Sequence, residues 1–255
     1  MNANTLWDDF NFSYILLEKR EKVAVLTLNN PNKLNAMDDR LLAELREAYQ
    51  NVMDASDIKA LVITSTAKKA FCAGIHVSYV RGLSNEQAGN FFFELAEFFE
   101  WLIHCPFPTI AAVDGYAFGA GADLALACDI RIGATRASFR FPGPQFGVVL
   151  GTQRLMDEIG PAQARFLALT NQLIDANRAL QLGIIQEKVA EESLTEYACQ
   201  VADAITRVPE HTTGTIKSLT NGQKAGSPPD LTRDSIVTGD FQERFAGYLE
   251  RLKKK

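Results

Sequence analysis

Two glycine-bearing turns carry the first sign of chemistry. Ala70-Phe-Cys-Ala-Gly-Ile-His76 and Asp114-Gly-Tyr-Ala-Phe-Gly-Ala-Gly-Ala-Asp123 each follow a short apolar run of strand composition, Ala60–Thr64 and Thr109–Val113. Their small residues let backbone approach backbone or ligand closely. The second turn runs directly into a helix, which aims free N–H groups and the positive end of the helix dipole at one spot. Set side by side, two such turns present two N–H donors to one oxygen, the arrangement that stabilises a developing oxyanion. The competing reading is that they are tight connections and nothing more.

These turns must be held by regular elements. Ile15–Glu18 and Val23–Leu28 are β-rich runs split by the charged turn Lys19–Lys22 and read as a hairpin. Leu41–Met53 has helical spacing at Leu41, Leu42, Leu45, Ala48, Tyr49 and Val52. Ser84 and Gln87 form the signature of a capping box, opening a helix to about His104 with Phe91, Leu95, Phe98 and Leu102 on one face; Pro106 and Pro108 end it. Leu124–Cys128 reads as a short helix and Asp129–Gly133 as a strand. This strand–helix–strand alternation predicts an α/β core with largely parallel pairing. Beyond Gly151 the chain reads as helices: Gly151–Ile159, Ala162–Leu169, Ala176–Leu182, Leu194–Thr206 and Glu210–Thr220. A Gly/Pro/Ser-rich linker, Asn221–Pro229, then leads to a last helix at about Thr232–Leu252 with a lysine tail.

The 255 residues suffice for one large domain, and 47% hydrophobic with 22% charged residues supports a sizeable core. A net charge of −5 argues against a nucleic-acid partner. No run of apolar residues is long enough for a membrane span and no secretory leader is evident, so a cytoplasmic location is expected. Cys72, Cys105, Cys128 and Cys199 form no CxxC pair and read as small apolar residues. His76, His104 and His211 share no metal-ligand spacing; no metal and no separate cofactor are expected.

Five segments occur in order: Asn32-Lys-Leu-Asn-Ala36, Lys69-Ala-Phe-Cys-Ala-Gly74, Ala111-Ala-Val-Asp-Gly-Tyr-Ala-Phe-Gly-Ala-Gly121, Leu124-Ala-Leu-Ala-Cys-Asp129 and Gly151-Thr-Gln-Arg-Leu155. Together with the closing stretch Glu243–Arg251, this pattern resembles the enoyl-CoA hydratase/isomerase (crotonase) family from about residue 14 to residue 250. The resemblance implies a crotonase-like spiral of ββα units over 1–200. It also implies a helical C-terminal region over 201–255 that packs homotrimers, often paired into hexamers. It implies a coenzyme A thioester as ligand, its carbonyl held by the backbone N–H groups of Ile75 and Ala120. Lys33, Leu34 and Ala36, with Ala73 and Gly74, fall where family members hold the adenine and phosphates of CoA, and Gly121 lies within the same turn as Ala120.

The sequence also departs from the family. The first of the family's two catalytic glutamates is replaced by Asp123, which can do the same proton chemistry from about one methylene further back. The second falls at Gly143, which has no side chain. Gly143-Pro-Gln-Phe-Gly147 is similar to the dihydroxynaphthoyl-CoA synthase branch, but the loop that follows, Val148-Val-Leu150, is about three residues shorter and carries no acid. Arg140 binds a substrate carboxylate if it faces the pocket; otherwise it is a surface arginine on an edge strand. His76 is either an acid or base near neutrality or a loop residue beside the CoA pantetheine. Glu94 and Glu97 are alternative carboxylates on the pocket-wall helix, or a solvated face, and Glu158 reads as a surface residue.

Three functions follow. The first is a hydratase or isomerase using Asp123 as acid/base, with weak activity on simple crotonyl-CoA. The second is a hydrolase or C–C lyase on a specialised CoA thioester, assisted by Arg140 and the space at Gly143. The third is a non-catalytic acyl-CoA binder.

Overall fold

The computed structural model describes residues 5–6, 11–222, 227–238 and 240–252. The lysine tail and the centre of the 221–229 linker lie outside the described residues. Along the chain the first elements are β1 (Thr5–Leu6), β2 (Ile15–Arg20), β3 (Val23–Leu28), α1 (Asp39–Asp54), β4 (Ala60–Ser65), β5 (Ala70–Cys72), α2 (Val77–Val80) and α3 (Asn85–Ile103). Then come β6 (Thr109–Val113), β7 (Tyr116–Phe118), α4 (Ala120–Ala127), β8 (Ile130–Ala134), β9 (Ser138–Arg140), α5 (Thr152–Ile159), α6 (Pro161–Thr170) and β10 (Ile174–Asp175). The remainder is α7 (Ala176–Leu182), β11 (Glu187–Val189), α8 (Leu194–Thr206), α9 (Glu210–Thr220), α10 (Pro228–Val237) and α11 (Phe241–Leu252).

Two sheets result. The larger has the order β1-β2-β3-β4-β6-β8-β11, antiparallel through β3 and parallel thereafter. The smaller has the order β10-β9-β7-β5. Each of β4, β6 and β8 is followed within a few residues by a strand of the smaller sheet (β5, β7, β9) and then by helix. This repeated ββα turn is the spiral expected above. The short strands of the smaller sheet were hidden in the sequence inside what read as turns. Three residues are too few to show alternation, and their pairing is supplied by neighbours far along the chain.

Sequence logic is visible in the individual elements. The β2–β3 hairpin closes on Glu21 and Lys22, with Glu21 at φ 55°. The Asp38 side chain caps α1 by accepting from Leu41 N. The capping box of α3 forms in both directions, Gln87 N to Ser84 Oγ at 3.2 Å and Ser84 N to Gln87 Oε1 at 2.9 Å. The single helix expected over 232–252 is instead two, α10 and α11. Its start also moves back to Ser227, whose hydroxyl accepts from Asp230 N.

The parallel strands are buried on both faces. Leu26, Leu61, Ile63, Ala111 and Val113 face α1, α3 and α4, while Val25, Val62, Ile110 and Ala112 face Leu194, Ala198 and Ala202 of α8. That is why these strands read as unbroken apolar runs rather than alternating ones. Residue 200 lies inside α8, which packs on β3, β4, β6 and β8. No helix among the described residues is long and apolar enough to cross a membrane.

Candidate active site

Steric interlock brings the two glycine turns together. A Cβ on Gly121 would lie 2.1 Å from the carbonyl oxygen of Cys72, and one on Gly115 would lie 2.2 Å from that of Lys69. Only glycine lets α4 and β7 sit this close to β5. Gly74, at φ 98°, has its missing side chain aimed at Phe118 O, 2.6 Å away, and at Ala120 N, 3.7 Å away. The turn that ends in Ile75 therefore abuts the turn that begins α4.

A third segment ties the first turn from behind. Leu34 and Asn35 both adopt left-handed backbone, at φ 52° and 54°. Ala73 N donates to Leu34 O (3.0 Å), Met37 N to Gly74 O (2.7 Å) and His76 N to Met37 O (2.7 Å). The buried Asn35 amide donates to Ser65 Oγ and Phe71 O. These bonds engage the residues on either side of Ile75, and the Ile75 N–H itself makes no backbone hydrogen bond among the described residues. Ala120 is the first residue of α4, so its N–H has no partner within the helix. Two unspent donors thus stand on adjoining turns.

Ile75 and Ala120 line a cavity of about 810 Å³ together with Gly74 and Asp123, Phe141 to Pro144, and Leu150 to Thr152. Asp123 sits in the first turn of α4 and is only 8% exposed. Burial disfavours its charge and pushes its carboxyl up to about 7; the backbone of Gly151 beside it draws the other way by less. Gly151 is what makes room for it, since a Cβ there would lie 2.1 Å from Asp123 Oδ1. Gly151 also precedes α5, so the carboxylate faces a helix N-terminus. At neutral pH such a group exists in both protonation states and can give or take a proton. Among the described residues no other carboxylate lines the cavity.

The backbone is tightly packed at the place of the absent second acid. Gly143–Phe146 forms a single 3-10 turn; Val148 N donates back to Gly143 O (3.0 Å), and a Cβ on Gly143 would meet Val148 O at 3.0 Å. Gly143 itself lines the cavity.

Of the residues singled out from sequence, Ala73, Gly74, Ile75, Ala120, Asp123 and Gly143 line the cavity, and the others do not. Gly121 faces β5 rather than the cavity, for the steric reason given above. Arg140 is exposed and donates from Nε to Asn171 O (3.0 Å), so the pocket-facing arginine is corrected to a tie between β9 and the loop before β10. Lys33 pairs with Asp38 at 3.6 Å, and Leu34 and Ala36 sit behind Ala73 and Gly74. His76 precedes α2, half-buried, with its Nδ1 unpartnered among the described residues, and is not in the cavity wall. Glu94 and Glu97 are engaged with Arg46, at 3.7 and 3.5 Å.

Glu158 is not a free surface residue. It accepts from the fully buried Arg131 (2.5 Å) and pairs with Arg154 (3.4 Å). Arg131 also holds Cys128 O, and Arg154 holds Leu126 O, so the C-terminal end of α4 is tied to α5. Sequence reasoning missed this network because an arginine inside a strand gives no sign of its burial. It also missed Gly151 as the neighbour of Asp123, although a glycine just before a helix was the available signal.

An enoyl-CoA hydratase/isomerase family model matches residues 18–254. The chain belongs to the enoyl-CoA hydratase/isomerase family. A crotonyl-CoA hydratase of Syntrophomonas wolfei is 31% identical over 95% of this chain and 97% of its own. A short-chain-enoyl-CoA hydratase of Clostridium acetobutylicum is 34% identical over 94% and 95%. Among solved structures, DspI of Pseudomonas aeruginosa superposes with a TM-score of 0.85 at 29% identity, over 96% of this chain and 97% of its own. An enoyl-CoA hydratase from Bacillus anthracis gives 0.85 at 26% identity, over 95% and 97%. As a member of this enoyl-CoA hydratase/isomerase family, the chain is an acyl-CoA-processing enzyme with the family's spiral core.

Proposed function

We propose that this enzyme adds water reversibly across the double bond of a 2-enoyl-CoA thioester with a single acid/base, Asp123. The observation that carries this reading is that, among the described residues, Asp123 is the only carboxylate lining a cavity that Ile75 and Ala120 also line, their N–H groups without backbone partners there. The thioester oxygen accepts from both N–H groups. As water adds to the β-carbon, electrons move through the α-carbon onto that oxygen, and the donors stabilise the charge as it forms. The Asp123 carboxylate takes the proton from the attacking water and returns it to the α-carbon, so one group serves both ends of the addition. The names of its relatives support hydration as the reaction.

Migration of the double bond is a second reading. It is favoured by the same fact, since moving a proton from one carbon to the next but one needs only one carboxylate. Hydrolysis or C–C cleavage loses one of its two motivating residues, since Arg140 is engaged with Asn171 O and does not line the cavity, although Gly143 does.

The test is proton NMR of crotonyl-CoA and 3-hexenoyl-CoA in D₂O with the wild type and Asp123→Asn. Hydration with deuterium entering the α-carbon, lost in the variant, is the expected result. Migration of the hexenoyl double bond without hydration selects the second reading. Undiminished turnover in Asp123→Asn removes Asp123 from both.

A further inference from the structure

Helix α3 has a second face. Phe91, Leu95, Phe98 and Leu102 enter the core, whereas Asn85, Ala88, Gly89 and Phe92 line the cavity at the i, i+3, i+4, i+7 spacing of one helical stripe. Glycine is a poor helix former, and at position 89 packing does not require it: a Cβ built there meets nothing within 4 Å. The space that its missing side chain leaves is open, at an exposed residue on the cavity's rim.

The rest of the lining is mostly apolar as well. Phe146 of the 3-10 turn and Leu150 of the loop after it also line the cavity, and Arg81, Asn85, Asp123 and Thr152 are the only polar side chains lining it among the described residues. Val77 and Phe146 stand 64% and 58% exposed in the cavity lining. Large apolar side chains lining an open cavity are suited to an apolar ligand. A crotonyl group ends close to the atoms that react with it and would leave this surface wet.

Resting on the acyl-CoA reading above, we infer that the cavity takes an aliphatic acyl chain well beyond crotonyl in length, and that Gly89 is the residue that sets this specificity. The chain runs from the thioester past Asp123 along the Ala88–Gly89 groove, with Phe92 and Phe146 against it. Each added methylene gains affinity by leaving water, until the groove is filled.

Calorimetric titration of Asp123→Asn, which binds without turnover, with CoA, butyryl-CoA and octanoyl-CoA tests this. Octanoyl-CoA should bind about 100-fold more tightly than butyryl-CoA. Gly89→Leu, which fills the groove, should bring that ratio below about tenfold, and Gly89→Ala, which strengthens the helix and adds one methyl, should give an intermediate ratio. If Gly89→Leu does not fold by circular dichroism, the Gly89→Ala ratio decides. Equal affinity for the two thioesters, or a ratio that substitution at 89 does not move, overturns the inference and leaves the acyl-CoA reading standing. Failure of CoA and both thioesters to bind overturns that reading and this inference with it.

Discussion

Asp123 trades stability for reactivity. Its carboxyl titrates at about 7 in the fold against an ordinary 3.8. The folded state thus holds this proton more tightly than the unfolded chain does. The group costs nothing below pH 3.8, its cost grows as pH rises from 3.8 to 7, and it levels off above 7 at about 4 kcal/mol as an upper bound. Asp123→Asn should therefore raise the melting temperature, more at pH 8 than at pH 5, while lowering turnover by roughly 10²–10⁴-fold. Thermal melts at the two pH values check the first effect and steady-state kinetics the second. Because the ionised form starts hydration, kcat/KM should rise with pH through about 7 on a single limb. A bell-shaped profile would reveal a second titrating group. Gly151→Ala should also reduce activity sharply, since its methyl would occupy the space of the carboxylate; a kcat/KM within twofold of wild type would count against that packing. At this scale the sequence was informative where a residue's type limits its possibilities, as with Asp123 and the glycine turns. Arg140 and Glu158 misled because charge alone does not say which way a side chain points. That was decided by Asn171 O for the one and by Arg131 for the other.

Among the elements, α4 and α5 work as a pair. Asp123 stands in the first turn of α4, Gly151 precedes α5, and the far ends are clamped by Arg131, Arg154 and Glu158. Glu158→Ala leaves Arg131 buried without its carboxylate and should destabilise the fold by roughly 3–5 kcal/mol, measured by denaturant unfolding. Helices with an apolar stripe or a local cap, such as α1 and α3, were legible in the sequence to within about two residues, because their signals are local. The three-residue strands β5, β7 and β9 were not. Their identity depends on partners 20 or more residues away, such as Ala70 with Tyr116 and Ala117 with Phe139. Those strands carry both turns to the cavity, so the site was legible as motifs before its scaffold was.

For the whole molecule, the C-terminal helices present apolar side chains to the outside. Val237 is 73% exposed, and Phe245, Tyr248 and Leu249 of α11 are also exposed. Surfaces of this kind mark association, and we propose that α10 and α11 pack subunits into trimers or pairs of trimers. Light scattering after gel filtration should give a multiple of 28.1 kDa, and Phe245→Ser with Tyr248→Ser should lower it. A wild type that elutes as a monomer at micromolar concentration would refute this.

The turn over Gly143 has a consequence for ancestry. A glutamate placed there would start from a Cβ at 3.0 Å from Val148 O, a contact that asks the turn to give by a few tenths of an ångström. The side chain at 143 and the backbone at 148 are therefore coupled in inheritance. A lineage that regains an acid here gains most by loosening that turn in the same step, and one that keeps the turn is refined around its aspartate.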